Sequence, residues 1–295
     1  MRIGLIGLGK MGGNMRERLR ERGVEVTGYD RDASVSDVAS LADLVAALPE
    51  SPKVVWVMVP AGAPTRATVE ELAELLSPGD IVIEGGNSRW TDDIAHAALL
   101  AEKGVGYLDC GVSGGVWGRQ NGYALMVGGA AELVESARPV FDALRPDGDA
   151  GFVHAGQVGA GHFSKMVHNG IEYAMMQAYA EGYELLEKTE LVEDVPAVLD
   201  SWREGTVVRS WLLDLLVKAL DEHPGLTDIR GYAEDSGEGR WTVEAAIEHA
   251  VPTPAIAASL FARFSSRQDE SPAMQAIAAM RQQFGGHAVQ QSTPD

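Results

Sequence analysis

Short apolar runs alternate with amphipathic segments through the first half of the chain. The apolar runs have the length of buried β-strands, and the segments between them repeat apolar residues at helical spacing. This alternation is typical of a doubly wound α/β domain with a mainly parallel sheet. We therefore predict strands at residues 1–6, 25–29, 53–59, 81–84 and 107–110, and helices that include residues 65–76 and 90–103.

The pattern changes near Gly161, and no convincing strand follows. A helix is predicted to run to about Lys188, and Asp194 has the position of an N-cap before Pro196. Residues 211–220 and 255–264 form further apolar helical segments. We predict an all-α second domain, with residues 1–158 as the first domain and residues 159–295 as the second. Its helices are more apolar than a lone domain requires, so we expect some of them to face a partner subunit.

The first predicted strand leads into Gly7, Gly9 and Gly12, which form a G-x-G-x-x-G pattern ahead of a helix. Glycines at this spacing allow a tight turn, a close approach to a pyrophosphate and close helix–strand packing. Backbone N–H groups at the start of the helix would bind the phosphates. A second strand ends at Asp30, where such domains carry an acid that binds the ribose 2′-hydroxyl. The sequence therefore predicts a dinucleotide-binding domain.

Asp30 also bears on the choice of dinucleotide. A carboxylate accepts a hydrogen bond from a free 2′-hydroxyl and repels a 2′-phosphate, which favours NAD over NADP. Arg31 follows directly and could stack on adenine or pair with a phosphate. The predicted cofactor-binding residues are Gly7, Gly9, Lys10, Met11, Gly12, Asp30, Arg31, Val59, Pro60 and Asn87.

Polar or glycine-rich loops follow three of the predicted strands. Val59-Pro60, Asn87-Ser88 and Ser113-Gly114-Gly115 all begin where a strand ends. Ligands of open α/β sheets bind beyond the carboxyl ends of the strands. Each loop alone is compatible with an ordinary turn, but together they predict a site along one edge of the sheet.

Lys165, His168, Asn169 and Glu172 repeat at helical spacing and share one helix face. Lys165 and Glu172 are about 10 Å apart along the axis, at about 1.5 Å per residue. They are too far apart for an ion pair, but they could reach two ends of a small polar molecule. The alternative is a solvated helix face, and a purely structural His168 is also compatible with the pattern.

Composition excludes several classes of function. The chain has 295 residues and a net charge of -19, which argues against a nucleic-acid partner but not against a small anionic substrate. Cys110 is the single cysteine, so an intrachain disulfide is impossible and a reducing cytoplasm is expected.

No apolar run approaches the roughly 20 residues of a membrane span. The seven histidines show no metal-ligand spacing, so we expect no metal site.

Several motifs together resemble one family. They are Gly-Leu-Gly-Lys-Met-Gly (residues 7–12), Gly-Gly-Asn-Ser (85–88), Val-Ser-Gly-Gly (112–115), Lys-Met-Val-His-Asn-Gly-Ile-Glu-Tyr (165–173), Gly-Arg-Trp-Thr (239–242), Phe-Ala-Arg (261–263) and Phe-Gly-Gly-His (284–287). Over nearly its whole length the chain resembles the shorter form of decarboxylating 6-phosphogluconate dehydrogenases, within the β-hydroxyacid dehydrogenase superfamily. The run from Lys165 to Tyr173 is the most specific of these motifs.

The resemblance implies roles for individual residues. Lys165 is expected to be the general base on the 3-hydroxyl, and Glu172 the acid that protonates the sugar carbon from which CO2 leaves. Arg263 is expected to bind the substrate phosphate, and Arg281 and His287 to reach the active site of a neighbouring subunit. The remaining expected substrate-binding residues are Asn87, Ser113, Gly114, Gly115, His168, Asn169 and Tyr173.

The sequence departs from the family pattern at two places. Asp30 stands where NADP-using members carry an asparagine–arginine pair. A lysine often found before the Gly-Arg-Trp-Thr run is missing, so Arg240 is the candidate for that phosphate contact. Arg240 and Arg281 are also compatible with surface charges.

The resemblance implies a homodimer or homotetramer that oxidises 6-phosphogluconate with NAD and releases ribulose 5-phosphate and CO2. The chemistry needs no metal, because the C3 carbonyl accepts the electrons left by the carboxylate. Two rival hypotheses are a related dehydrogenase that acts on a smaller 3-hydroxy acid without decarboxylation, and a non-catalytic NAD-binding sensor. The first would not need Glu172 or Arg263, and the pair of Lys165 and Glu172 argues against the second.

Overall fold

A seven-stranded sheet forms the centre of the first half of the protein in a computed structural model, which describes residues 1–49 and 52–291. The strands lie in the order β2-β1-β3-β4-β5-β6-β7. Their bounds are β1 (Arg2–Ile6), β2 (Glu25–Tyr29), β3 (Val54–Val57), β4 (Ile81–Glu84), β5 (Gly106–Ser113), β6 (Ala124–Gly129) and β7 (Phe152–Gly156).

All neighbouring strands are parallel except β5 and β6, which are antiparallel. The prediction of a mainly parallel, doubly wound sheet is confirmed. The sequence patterns did not identify β6 and β7. Three of the five residues of β7 are exposed, so this strand lacks the apolar run that marks the others.

Twelve α-helices are present among the described residues. They are α1 (Lys10–Glu21), α2 (Leu41–Ala46), α3 (Ala63–Leu75), α4 (Trp90–Glu102), α5 (Gly118–Asn121), α6 (Ala131–Leu144), α7 (Ala160–Glu187), α8 (Val195–Ser201), α9 (Trp211–Glu222), α10 (Glu238–Glu248), α11 (Pro254–Ser266) and α12 (Pro272–Gly285). The helices predicted at residues 65–76, at 90–103 and up to Lys188 correspond to α3, α4 and α7 within two residues.

The central strands are buried because apolar clusters cover both faces of the sheet. Along β3, Val54 and Trp56 belong to one cluster, and Val55 and Val57 belong to the other. Successive strand side chains point to opposite faces, so a run of four apolar residues is what a strand covered on both sides requires. This explains why the central strands read as continuous apolar runs.

The contacts divide the chain into two compact units, with the division between Asn169 and Gly170 inside α7. In the second unit, α8 and α9 form a small apolar core. The Asp194 side chain accepts a hydrogen bond from the N–H of Ala197 at 2.9 Å, which confirms the predicted N-cap of α8. The described part of this unit contains no strand, as predicted. The domain boundary expected between residues 158 and 159 remains a prediction, and residues 292–295 lie outside the described part.

Among the described residues, no helix combines the length and the apolar composition that crossing a membrane requires.

Candidate active site

The turn after β1 contains two glycines that cannot be replaced by a residue with a side chain. Gly7 has a φ of +88°, and a Cβ on it would lie 2.5 Å from the Met58 backbone oxygen. A Cβ on Gly12 would lie 1.9 Å from the backbone oxygen of Gly7. A Cβ on Gly9, the N-cap of α1, would meet no atom within 4 Å. The turn therefore combines tight helix–strand packing with open space at the start of α1, which fits a bound pyrophosphate.

Asp30 contacts this turn directly. Its Oδ2 accepts a hydrogen bond from the N–H of Leu8 at 2.6 Å, and its Oδ1 accepts one from the N–H of Asp32 at 2.9 Å. Each carboxylate oxygen can accept about two hydrogen bonds, so further acceptor capacity remains for ribose hydroxyls. Arg31 follows at an exposed position. The residues of the glycine-rich turn and Asp30 thus fit a nicotinamide dinucleotide.

Backbone hydrogen bonds bring the loops at the strand ends side by side. The N–H of Met58 donates to the Ile6 oxygen at 2.7 Å, and the N–H of Gly85 donates to the Val57 oxygen at 2.9 Å. These bonds extend the sheet pairing into the loops after β1, β3 and β4. The next strand, β5, ends at Ser113. Val59 and Pro60 therefore follow β3, and Asn87 follows β4. Ser113 is the last residue of β5, and Gly114 and Gly115 follow it. The binding roles of these residues remain predictions.

Lys165 lies on α7, where the helix packs against β5. A Cβ on Gly111 would lie 2.5 Å from the Lys165 Cβ, so the close approach of strand and helix depends on a glycine at this position. The Lys165 amine donates a hydrogen bond to the Asn169 Oδ1 at 2.8 Å, and the His168 Nδ1 lies 2.9 Å from the same oxygen. The first three residues predicted on this helix face therefore form one hydrogen-bonded group. Lys165 is partly buried, so it is not a freely solvated lysine.

Glu172 and Tyr173 follow on α7 in the second unit. The Tyr173 ring is buried, and the Arg263 guanidinium lies 3.5 Å from its centroid. Arg263 also donates a hydrogen bond to the Glu234 backbone oxygen at 2.9 Å, and the Tyr173 hydroxyl accepts one from the N–H of Ser236 at 3.2 Å. Arg263 is therefore oriented by a ring face and a carbonyl group.

Arg240 pairs with Asp235, which lies between Glu234 and Ser236. Its guanidinium donates two hydrogen bonds to Asp235, at 2.7 and 3.0 Å, and Arg267 donates a third at 2.9 Å. The hydrogen bonds from Arg240 and Arg267, together with their charges, outweigh burial and lower the pKa of Asp235 to about 2. Arg267, which the sequence patterns did not single out, thus belongs to a group of three arginines around residues 234–236.

Comparison with known proteins assigns the family. Residues 2–147 match a family model described as the NAD binding domain of 6-phosphogluconate dehydrogenase, and residues 161–293 match one described as its C-terminal domain. The chain belongs to the 6-phosphogluconate dehydrogenase family. The resemblance drawn from the sequence motifs is confirmed.

Individual members of the 6-phosphogluconate dehydrogenase family extend this result. A Haloferax volcanii protein named "6-phosphogluconate dehydrogenase, NAD(+)-dependent, decarboxylating" is 40% identical over 301 residues, which cover 98% of each chain. A Bacillus subtilis protein of the same name is 37% identical over 94% of this chain and 64% of its own length. The solved 6-phosphogluconate dehydrogenase of Plasmodium falciparum superposes with a TM-score of 0.81 and 27% identity, covering 100% of this chain and 67% of that chain. The chain therefore spans nearly the whole Haloferax protein and about two thirds of the length of the other two.

The structure of this family member also contains a buried charged cluster that the sequence motifs did not indicate. Glu84 ends β4, Asp93 lies in the first turn of α4, and His162 lies in the first turn of α7. His162 Nδ1 lies 2.8 Å from the Asp93 Oδ2, and His162 Nε2 lies 3.7 Å from the Glu84 Oε2. The three side chains are spread over three elements, so no spacing motif could reveal them. The only sequence signal is a glutamate at the end of an apolar strand.

The charges of this cluster depend on one another. Burial by itself lowers the pKa of His162, but the carboxylates of Asp93 and Glu84 outweigh it and raise the pKa to about 10. Burial raises the pKa of both carboxyl groups, and the positive imidazole opposes that rise. Ligand atoms of the three residues lie within 4.8 Å of one another, as a metal site would need. Each ring nitrogen of His162 faces a carboxylate, however, which favours the protonated imidazolium. A histidine that binds a metal must instead be neutral.

Arg281 and His287 lie on α12 and directly after it. Both are exposed, and the His287 ring packs edge-on against Phe284 with centroids 6.3 Å apart. Their expected role in a neighbouring subunit remains a prediction.

Proposed function

We propose that the protein oxidises and decarboxylates 6-phosphogluconate to ribulose 5-phosphate and CO2, with NAD as the hydride acceptor. The observation that carries the proposal is the Lys165–Asn169 hydrogen bond on α7, beside the strand that ends at Ser113. The family membership and the Lys165-to-Tyr173 motif support the same reaction.

Lys165 is the general base in this proposal. It takes the proton of the substrate's 3-hydroxyl, and it must be neutral to do so. Its partner Asn169 is an uncharged amide, which stabilises a protonated amine less than a carboxylate would. The protonated Lys165 can then donate a hydrogen bond to the C3 carbonyl while CO2 leaves and the enediol forms.

Glu172 is the acid that returns a proton to C1 of the enediol. It lies seven residues beyond Lys165 on the same helix, about 10 Å along the axis at about 1.5 Å per residue. The carbon that receives the proton is C1 of the five-carbon product and C2 of the six-carbon acid, and it is bonded directly to C3. Lys165 and Glu172 are therefore proposed to extend toward neighbouring carbons of the substrate. His168, Asn87, Ser113, Gly114 and Gly115 are proposed to bind the hydroxyl and carboxylate groups of the substrate.

NAD, when bound, accepts the hydride from C3. The glycine-rich turn and the start of α1 would hold its pyrophosphate, and Asp30 would accept hydrogen bonds from its ribose. The choice of NAD over NADP is supported by this carboxylate and by the NAD(+)-dependent names of two relatives. Lys10, Met11, Arg31, Val59 and Pro60 are proposed as further contacts.

Arg263 is the proposed phosphate ligand. The Tyr173 ring and the Glu234 carbonyl group fix its orientation, so little side-chain freedom is lost when a phosphate binds. Arg240 is a second proposed contact, although its guanidinium is already paired with Asp235. Tyr173 is thus proposed to contribute indirectly, because its ring holds the Arg263 guanidinium in position.

We also propose that the protein acts in the cytoplasm as a homodimer or homotetramer, to which Arg281 and His287 contribute across an interface. An exposed apolar stripe on α12 supports this assembly. The stripe consists of Met274, Ile277, Met280 and Phe284, which are between 44% and 78% exposed. So large an apolar surface on one helix is typical of an interaction site.

Initial rates of NADH formation with three substrates test the proposal. 6-Phosphogluconate should be oxidised, unphosphorylated gluconate should be a much poorer substrate, and 3-hydroxyisobutyrate should be inert. Preference for 3-hydroxyisobutyrate would instead identify a dehydrogenase of small 3-hydroxy acids. The same panel with NADP in place of NAD tests the cofactor.

A further inference from the structure

His162 lies in the first turn of α7 and faces the strand end that leads into a loop of the proposed site. It is 2% exposed and lies one helical turn before Lys165. Glu84 is completely buried and directly precedes the Gly85–Ser88 loop, which carries Asn87. His162 therefore lies at the start of the segment that carries the proposed base. Glu84 lies at the start of the segment that carries a proposed substrate ligand.

Glu84 contacts both segments through different oxygens. Its Oε1 accepts a hydrogen bond from the N–H of Gly86 at 2.8 Å, inside the loop. Its Oε2 faces the His162 Nε2 at 3.7 Å, and both atoms are buried without a hydrogen-bond partner among the described residues. At this distance the pair is electrostatic, and a small shift would make it a hydrogen bond.

The other side of the imidazole is fixed more rigidly. Asp93 Oδ2 lies 2.8 Å from the His162 Nδ1, and Asp93 Oδ1 accepts a hydrogen bond from the Tyr107 hydroxyl at 2.7 Å. Asp109 accepts the backbone N–H groups of Gly159 and His162 at 2.7 and 2.9 Å, which holds the start of α7 on β5. The imidazole is thus anchored at Asp93 and faces Glu84 with its remaining nitrogen.

We propose that His162 is a positioning residue, which ties the first turn of the Lys165 helix to the Gly85–Ser88 loop through Glu84. The expected effect of this link on turnover rests on the proposed function. The link itself, which we call the tether, follows from the contacts of His162 and Glu84 described above. A displacement of about 1 Å between reacting groups can cost roughly 100-fold in rate, so a fixed distance between these segments matters for turnover.

Two substitutions separate the two sides of the imidazole. In His162→Gln the side-chain amide reaches the position of Nε2 and can donate to Glu84. In His162→Asn the shorter amide reaches only the position of Nδ1 and can pair with Asp93. Both variants lose the positive charge and keep a polar amide. His96→Asn is the matched control, because His96 is a buried histidine of α4 whose ring packs on Tyr107 outside the cluster.

The first readout is kcat for 6-phosphogluconate, normalised to NADH-binding sites counted by fluorescence titration. We expect kcat to fall roughly 10- to 100-fold in His162→Asn and clearly less in His162→Gln. The KM for NAD and the kcat of His96→Asn should stay within about twofold of wild type. A purely structural role would lower the number of binding sites and leave kcat per site unchanged.

The second readout does not depend on catalysis. Amide hydrogen exchange of residues 160–166 in the free protein should accelerate in His162→Asn more than in His162→Gln. If the wild type does not oxidise 6-phosphogluconate, the proposed function fails, and the exchange rates alone decide whether the tether exists. If His162→Asn does not fold, Glu84→Gln carries the same test, with a loss of kcat expected. Wild-type kcat per site in the variants, or equal behaviour of the Gln and Asn variants, would overturn the proposal.

Discussion

The Lys165 amine and the Asn169 side-chain oxygen are 2.8 Å apart, one turn of helix from each other. This bond gives the proposed base a fixed direction and an uncharged partner. Because α7 packs on β5 at Gly111, the bond also lies near the carboxyl end of a sheet strand, where ligands of such folds bind.

Removal of the amine should abolish the base without loss of cofactor binding. We expect Lys165→Met to lower kcat by roughly 10²- to 10⁴-fold, the usual contribution of a general base. Fluorescence titration should show unchanged NADH binding. Lys103→Met is the control, because the Lys103 amine pairs with Glu74 at the surface. Turnover of Lys165→Met close to that of wild type would rule out the assigned role.

The Asn169 partner gives a second, finer test of the base. In Asn169→Asp a carboxylate would favour the protonated amine, so the acidic limb of the kcat–pH profile should move to higher pH. An Asn169→Asp profile that coincides with the wild-type profile would contradict the idea that the neutral amide matters.

Glu172 should act after hydride transfer. In Glu172→Gln we expect steady-state CO2 release to fall by roughly 10²- to 10⁴-fold, because C1 of the enediol lacks its proton donor. NADH formed in the first turnover should be affected less. Glu181→Gln is the control, since Glu181 is an exposed glutamate of the same helix. If CO2 output of Glu172→Gln were unchanged, the acid would have to be another group.

Asp30 should govern the choice of dinucleotide. An asparagine can still accept the hydrogen bond from the N–H of Leu8, but it no longer repels a 2′-phosphate. We expect the ratio of kcat/KM for NAD to kcat/KM for NADP to fall at least about tenfold in Asp30→Asn, which corresponds to about 1.4 kcal/mol. Asp32→Asn, two residues further along, should leave the ratio unchanged. A constant ratio in both variants would overturn the assignment.

The buried cluster predicts how stability depends on pH. The pKa of His162 is raised to about 10, so its contribution to the free energy of unfolding is complete below about pH 6.5 and is lost as the pH rises through about 10. The raised pKa values of Glu84 and Asp93 act in the same direction, since the folded state again binds more protons. We expect wild type to melt at a lower temperature at about pH 9.5 than at about pH 6.5.

The His162→Asn variant isolates the contribution of the cluster. Its melting temperature should fall less over the same pH range, whereas His96→Asn should follow the wild type. Parallel melting curves for His162→Asn and wild type across the range would show that the imidazole does not carry the pH dependence.

Sequence patterns predicted much of this molecule because local physics governs those parts. The central strands, covered on both faces, needed unbroken apolar runs, and Asp194 had the side chain and the position of an N-cap. The glycine-rich turn was visible because Gly7 and Gly12 have no room for a side chain. β7 escaped prediction because most of its side chains are exposed.

Sequence patterns could not predict the cluster of Glu84, Asp93 and His162. Its members are distant in the chain and meet only when β4, α4 and α7 pack together. The pairing of Arg240 and Arg267 on Asp235 has the same origin. Such contacts are set by tertiary structure, and a motif on one element cannot report them.

The most direct test of the central proposal follows NADH and CO2 in the same reaction. Purified protein with NAD and 6-phosphogluconate labelled at C1 should release one labelled CO2 for each NADH formed. NADH without labelled CO2, or no NADH at all, would contradict the account of Lys165 and Glu172 as the base and acid of an oxidative decarboxylation.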